Sequence, residues 1–186
     1  MDKHSRVQAI IANDPARWRL LQLVRTLGLA DCRIGAGFVR NAVWDHLHGR
    51  ESSPLSSDVD VIWFDPGRST PDYDRDAEAV LRTLDSSVAW SVKNQARMHS
   101  RNGDRPYVSS ADAMRHWPET ATAVAVRLGE GNLCEVSAPL GLDDLFGLIV
   151  RPTEGFVGGK RAIYQARLAS KDWVARWPLL RHESSE

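Results

Sequence analysis

The sequence predicts an α/β (α+β) fold with a mixed central β-sheet flanked by helices. Three patterns carry that expectation. Segments with helical spacing of apolar residues alternate with short strand-like runs between residues 7 and 98. Val59 to Phe64 is apolar on both faces over most of its length, as a central strand must be. Thr120 to Leu128 and Asn132 to Ala138 then read as a β-hairpin across Gly129-Glu130-Gly131. Helix, strand, helix, strand, helix, strand, hairpin and further helices is an order that builds a sheet with helices packed against it.

Each element has its own signal. Val7 to Leu29 carries Ile10, Ile11, Trp18, Leu20, Leu21, Leu23, Val24 and Leu27 at helical spacing, and Asp14-Pro15 has the form of an N-cap and first-turn proline that divides it in two. Asp31 to Ile34 is a short apolar run ending in Gly35-Ala36-Gly37, and Phe38 to His48 follows as a helix closed by Gly49. Glu51 to Ser57 is a polar loop. After the Val59–Phe64 strand and Pro66-Gly67, Asp74 to Leu84 reads as a helix with acids near its start, where the helix dipole favours them. Val88 to Met98 alternates as a strand, Ala111 to His116 is a short helix, Leu142 to Val150 is helical, and Lys160 to Trp177 forms a helical tail. The expected organisation is an N-terminal helical segment (1–30), a core (31–152) and a C-terminal helical tail (153–186) in one compact domain.

Composition narrows the function classes. The chain has 186 residues, with 24 Lys plus Arg against 24 Asp plus Glu, so there is no broad basic field to hold nucleic acid or an anionic membrane. Cys32 and Cys134 stand far apart and outside any metal-ligand or redox spacing. No apolar run is long enough to span a bilayer, and the expected location is the cytoplasm. The seven tryptophans lack interleaved basic residues and are expected as core or groove walls rather than a stacking platform.

The sharpest chemical signal is Ser57-Asp58-Val59-Asp60-Val61. Side chains alternate along a strand, so Asp58 and Asp60 point the same way, roughly 6.5 Å apart at Cα. Two carboxylates on one face of a buried strand need a cation, hydrogen-bond donors or water. Mg²⁺ (or Mn²⁺) fits, because it takes one or two carboxylates together with substrate phosphates. The preceding Gly35-Ala36-Gly37-Phe38-Val39-Arg40-Asn41 is a strand end, a glycine turn and a helix start, the arrangement in which free backbone N–H groups receive phosphate. Arg40 and Asn41 lie in the first turn as further donors, and Ser57 stands beside the acidic pair.

Taken together, these segments resemble the DNA polymerase β-type nucleotidyltransferase superfamily. Trp90-Ser91-Val92-Lys93-Asn94-Gln95-Ala96-Arg97-Met98-His99, Trp117-Pro118-Glu119-Thr120-Ala121-Thr122-Ala123, and Ala138-Pro139 with Gly141-Leu142-Asp143-Asp144-Leu145-Phe146 are similar to a family of small bacterial nucleotidyltransferase-like proteins. The resemblance runs from about Cys32 to Pro152. It departs at Ala36, within the glycine pair, and at Asn41, where an acid is expected.

The resemblance implies the minimal fold of that superfamily and a Mg²⁺-dependent transfer of a nucleoside monophosphate from a nucleoside triphosphate to an acceptor hydroxyl. A small-molecule or protein acceptor is favoured over nucleic acid. A nucleotide-binding or regulatory module that has lost turnover is the alternative. The resemblance also implies a third acid on a neighbouring strand. Val88 to Met98 has none, so Asn94, or Glu135 on the hairpin, is expected at that position. Lys93 and Arg97, expected on one side of their strand with Ser91 and Gln95, are candidate substrate contacts.

Overall fold

The computed structural model describes residues 1–51, 54, 55 and 58–183. Helix α1 (Lys3–Ala12) begins at Asp2, whose carboxylate accepts the Ser5 amide at 2.9 Å. Helix α2 (Pro15–Arg25) begins at Asp14, whose carboxylate accepts the Arg17 amide at 2.9 Å, so the Asp14-Pro15 signal does divide the N-terminal stretch. Gly28 then turns the chain at φ +60° into β1 (Arg33–Gly35).

Helix α3 (Gly37–Leu47) leads to β2 (Val59–Trp63), helix α4 (Pro71–Leu84) and β3 (Trp90–Asn94). Short helices α5 (Met98–Asn102) and α6 (Ser110–Met114) precede the hairpin strands β4 (Ala125–Leu128) and β5 (Cys134–Ser137). The remainder comprises α7 (Asp143–Phe146), β6 (Ile149–Val150), α8 (Arg161–Lys171), α9 (Trp173–Arg176) and β7 (Arg181–His182).

The main sheet has the order β3-β2-β1-β4-β5, with β2 and β3 parallel and the other pairs antiparallel. It is mixed, as the sequence predicts. Its two faces differ in chemistry. Ile34, Val59, Val61, Trp63, Trp90, Val92 and Val126 are buried in the main core with Val7, Ile11, Leu20, Leu21, Val39, Val43, Trp44 and Leu81 of α1 to α4. Alternation puts Arg33, Gly35, Asp60, Ile62, Ser91, Lys93, Ala125, Arg127 and Glu135 on the opposite face. A small cluster of Ile62, Met114, Ala123 and Ala125, with Trp117 against it, covers part of that face. The rest is open.

Tryptophans fasten the C-terminal helices to α3. Trp44 is fully buried and meets Trp173 and Trp177 edge-on, with ring centroids 5.7 and 5.2 Å away. The Trp177 indole N–H donates to Asp45 at 2.8 Å. Strands β6 and β7 pair beside this contact in parallel.

Three expected elements need correction. The strand predicted over Val88 to Met98 ends at Asn94, because the Asn94 side-chain oxygen Oδ1 accepts the Ala96 amide at 3.0 Å and bends the chain into a 3₁₀ turn. The helix predicted over Leu142 to Val150 stops at Phe146. Leu148 takes a left-handed φ of 56°, and Ile149–Val150 becomes a strand. The first part of the predicted Thr120–Leu128 strand is a 3₁₀ turn, and pairing starts at Ala125.

Candidate functional site

Extending the β1–β2 register by one residue past Ile34↔Val61 sets Gly35 opposite Asp60, and Asp60 faces Ser91 on the other side. Gly35 cannot carry a side chain here. A Cβ would lie 2.9 Å from the Trp117 ring and 3.3 Å from Ala125 Cβ. Trp117 therefore stands directly over the strand beside Asp60.

Ala36 follows with φ 53° and ψ −125°, and caps α3 without a side-chain hydrogen bond. Its N–H donates to Val124 at 3.0 Å, and its carbonyl accepts from Val39 and Arg40 at 3.2 and 3.0 Å. The N-terminus of α3 thus has no side-chain cap.

A cleft of about 240 Å³ joins these parts. Ala36, Asp60, Ile62, Ser91, Lys93, Gln95, Met98, Trp117, Thr122 and Arg167 all line it. Asp60 is half-buried, and burial together with the Asp58 carboxylate pushes its pKa up to about 6, against the pull of Lys171, Arg167 and Arg40. The two acids therefore act on one another at this end of β2. Asp58 itself is exposed. Their hard oxygen donors, held apart from other acids, fit Mg²⁺ or Mn²⁺ in the mode that relies on substrate phosphates and water for its remaining ligands. Among the described residues no group of three acids, histidines or cysteines is arranged to hold a metal.

The other sequence candidates are placed differently. Arg40 is buried, pairs with Thr122 and Asn41 at 3.0 and 2.9 Å, and lies between the rings of Trp44 (5.0 Å) and Trp173 (4.3 Å). Burial lowers its pKa to about 10, with Glu119 the leading opposing influence. Its guanidinium is a structural tie between α3 and the tail, and Asn41 is buried beside it as an acceptor. Ser57 lies outside the described residues.

Asn94 does not stand at a third ligand position. It is fully buried, its amide donates to the Asp65 and Arg68 carbonyls at 2.8 Å each, and its oxygen accepts from Asp65 and Ala96. The residue beside Asp60 on β3 is Ser91 instead. Glu135 is on the far edge strand, paired to Arg127 at 2.6 Å, and borders a separate cleft of about 540 Å³ lined also by Leu21, Cys32 and Arg33.

Arg97 lies beyond the strand end and pairs with Asp74, a buried acid that also accepts from Trp63 Nε1 and the Asn94 amide at 2.8 Å. It does not share a strand face with Lys93. Lys93 does reach the cleft, with its ammonium 3.6 Å from Glu78 and bonded to the Val92 carbonyl at 2.9 Å.

Sequence reading missed the contribution of α8. Arg167 lines the cleft, and Lys171 exerts the strongest cationic influence on Asp60. Their four-residue spacing on a helix, which sets both on one face, was the available signal. Glu119 of the Trp117–Ala123 segment binds Arg167 at 2.5 Å across the fold.

Residues 22–182 match a family model described as Nucleotidyltransferase. No curated protein matches the chain. A protein whose NMR structure reveals a CCA-adding enzyme head domain is 34% identical, with a TM-score of 0.86 over 97% of this chain and 96% of that one. A CCA-adding enzyme with CTP is similar at 13% identity and TM-score 0.58, over 98% of this chain and 43% of the enzyme. The Thermotoga maritima CCA-adding enzyme complexed with tRNA is similar at 15% identity and TM-score 0.57, over 99% of this chain and 43% of the enzyme. The chain spans less than half the length of these last two enzymes, and at those identities the likeness is one of fold.

Proposed function

Because the chain belongs to the nucleotidyltransferase family, with the polymerase β-type fold, we propose that it transfers a nucleoside monophosphate from a nucleoside triphosphate to an acceptor hydroxyl. The observation that carries this reading is the cleft in which the Asp60 carboxylate and the Gly35-Ala36-Gly37 turn meet. In the transfer, the acceptor oxygen bonds to the α-phosphorus, the bond from that phosphorus to the β-bridging oxygen breaks, and pyrophosphate leaves with its electron pair. The hydroxyl proton passes to a base or to water.

Asp58 and Asp60 would hold Mg²⁺ or Mn²⁺, and the ion would neutralise phosphate charge and favour ionisation of the acceptor. The chain's own groups do the rest. The turn offers backbone N–H groups to the phosphates. Trp117, Met98 and Ile62 give the cleft an apolar wall that excludes water and suits a planar base. Lys93 also lines the cleft, with its ammonium paired to Glu78. Ser57 is proposed beside the phosphates on sequence grounds alone.

The net charge of zero favours a small-molecule or protein acceptor over nucleic acid. The test is pyrophosphate release from each ribonucleoside triphosphate with Mg²⁺, comparing the protein with Asp58→Asn/Asp60→Asn. Candidate acceptors, including tRNA, are added in separate arms. Release that persists in the double variant contradicts the reading.

One observation favours a second reading. Ser91, not an acid, neighbours Asp60 on β3, and among the described residues no group of three acids, histidines or cysteines is arranged to hold a metal, so a third carboxylate to act as a base is missing there. A nucleotide-binding module without turnover would bind triphosphate and release no pyrophosphate under any acceptor.

A further inference from the structure

Two of the cations that act on Asp60, Arg167 and Lys171, come from α8, outside the sheet. Arg167 shares the cleft with Asp60 and Ala36. Lys171, one helical turn further along α8, is exposed. Four residues apart, the two occupy one face of the helix. Arg40, the arginine that the turn itself supplies, is buried between Trp44 and Trp173, donates to Thr122 and Asn41, and does not line the cleft. The positive charge available to an anion in this cleft therefore comes chiefly from α8, since the Lys93 ammonium is paired with Glu78.

Arg167 is also oriented. Its Nε donates to Glu119 Oε1 at 2.5 Å and its Nη2 reaches Oε2 at 3.4 Å, while Glu119 is fully buried. A buried carboxylate needs a close cationic partner, and Arg167 bonds to both Glu119 oxygens. Its guanidinium lies 5.6 Å from the Trp173 ring, which limits its swing. A guanidinium has five N–H donors, so one anchored through two of them retains donors for a second anion. A lysine four residues on supplies a mobile point charge suited to the outer part of the same anion.

We infer that α8 is the polyphosphate clamp of this site: Arg167, positioned by Glu119, and Lys171 engage the phosphates of the bound nucleotide. This rests on the reading of the cleft as a nucleoside triphosphate site. It makes the C-terminal helices part of the binding site rather than an appendage to it.

Calorimetric titration of the full-length protein with each ribonucleoside triphosphate, with the matching nucleoside, and with inorganic tripolyphosphate, all with Mg²⁺, tests the clamp. Arg167→Ala should weaken triphosphate binding by about 10- to 100-fold and Lys171→Ala by about 3- to 10-fold, with tripolyphosphate affected likewise and the nucleoside changed less than about twofold. Glu119→Gln, which keeps an acceptor for Nε, should weaken triphosphate but not nucleoside binding. Lys171 is exposed, so its variant reports on binding even if Arg167→Ala folds poorly. Wild-type affinity for triphosphate in Lys171→Ala and in folded Arg167→Ala overturns the clamp alone. Failure of the wild-type protein to bind any triphosphate overturns the nucleotide reading and the clamp together.

Discussion

The two faces of the central sheet are built from the same strands and solve opposite problems. On β2, Val59, Val61 and Trp63 are at most 1% exposed beneath the helices, while Asp60 and Ile62 turn to the cleft. The covered face gains from every methylene it buries. The open face holds a carboxylate whose burial is unfavourable, beside another carboxylate that makes it worse. The contrast shows a sheet whose stability resides on one side, which leaves the other free to keep charges that a core would not tolerate.

If that division holds, variants on the two sides should separate activity from stability. The largest effect expected is on the open face. Asp58→Asn/Asp60→Asn should lower Mg²⁺-dependent pyrophosphate release on the order of 10³-fold with no fall in Tm. A large fall in Tm would mean that the acidic pair also braces the fold. On the covered face, Trp44→Ala should cost about 3–5 kcal/mol in urea unfolding, because the indole is wholly enclosed and both tail tryptophans pack on it.

Asn94 lies on the boundary between the two sides. Asn94→Ala should cost about 1–3 kcal/mol by stranding the Asp65, Arg68 and Ala96 backbone groups. Asn94→Asp should likewise destabilise and leave Mg²⁺ affinity, measured by titration calorimetry, unchanged. Tighter Mg²⁺ binding would return Asn94 to the metal site.

The smallest effect concerns Asp60 in metal-free protein. Its folded pKa of about 6 exceeds the ordinary 3.8, so between those values the folded protein holds a proton that the unfolded chain has released. The stability linked to this group is complete below pH 3.8, falls as pH rises to about 6, and is level above that. Asp60→Asn should therefore raise Tm by roughly 3–6 °C at pH 8 in EDTA, with the gap closing toward pH 4. A gap independent of pH would show that the gain does not come from ionisation.

Local pattern made much of this legible. A two-residue period sets Asp60 on the cleft side of β2, a glycine turn precedes a helix, and Asp14-Pro15 and Gly28 punctuate the N-terminal helices. What escaped depends on tertiary structure. Arg97 shares a face with Lys93 only if the strand continues, and the Asn94 side chain ends it by bonding to the chain beyond. Glu135 lies close to Asp60 only under another strand order, since β1 and β4 intervene. Arg167 and Lys171 are more than a hundred residues from Asp60, and their approach depends on Trp173 and Trp177 docking on Trp44, a contact that no periodicity encodes. Arg40 was placed near the turn correctly, but the aromatic rings that enclose it come from its own helix and from the tail.

Ala36 carries a last consequence. A residue with a methyl group at φ 53° and ψ −125° sits in territory that glycine visits freely and other residues avoid, at a penalty on the order of 1–3 kcal/mol. The bend is a wound spring, and its catch is the carbonyl of Val124, just before the neighbouring strand β4. Whatever loosens the seam between β1 and β4 releases that catch, so this corner of the cleft would uncoil before the rest of the sheet gives way.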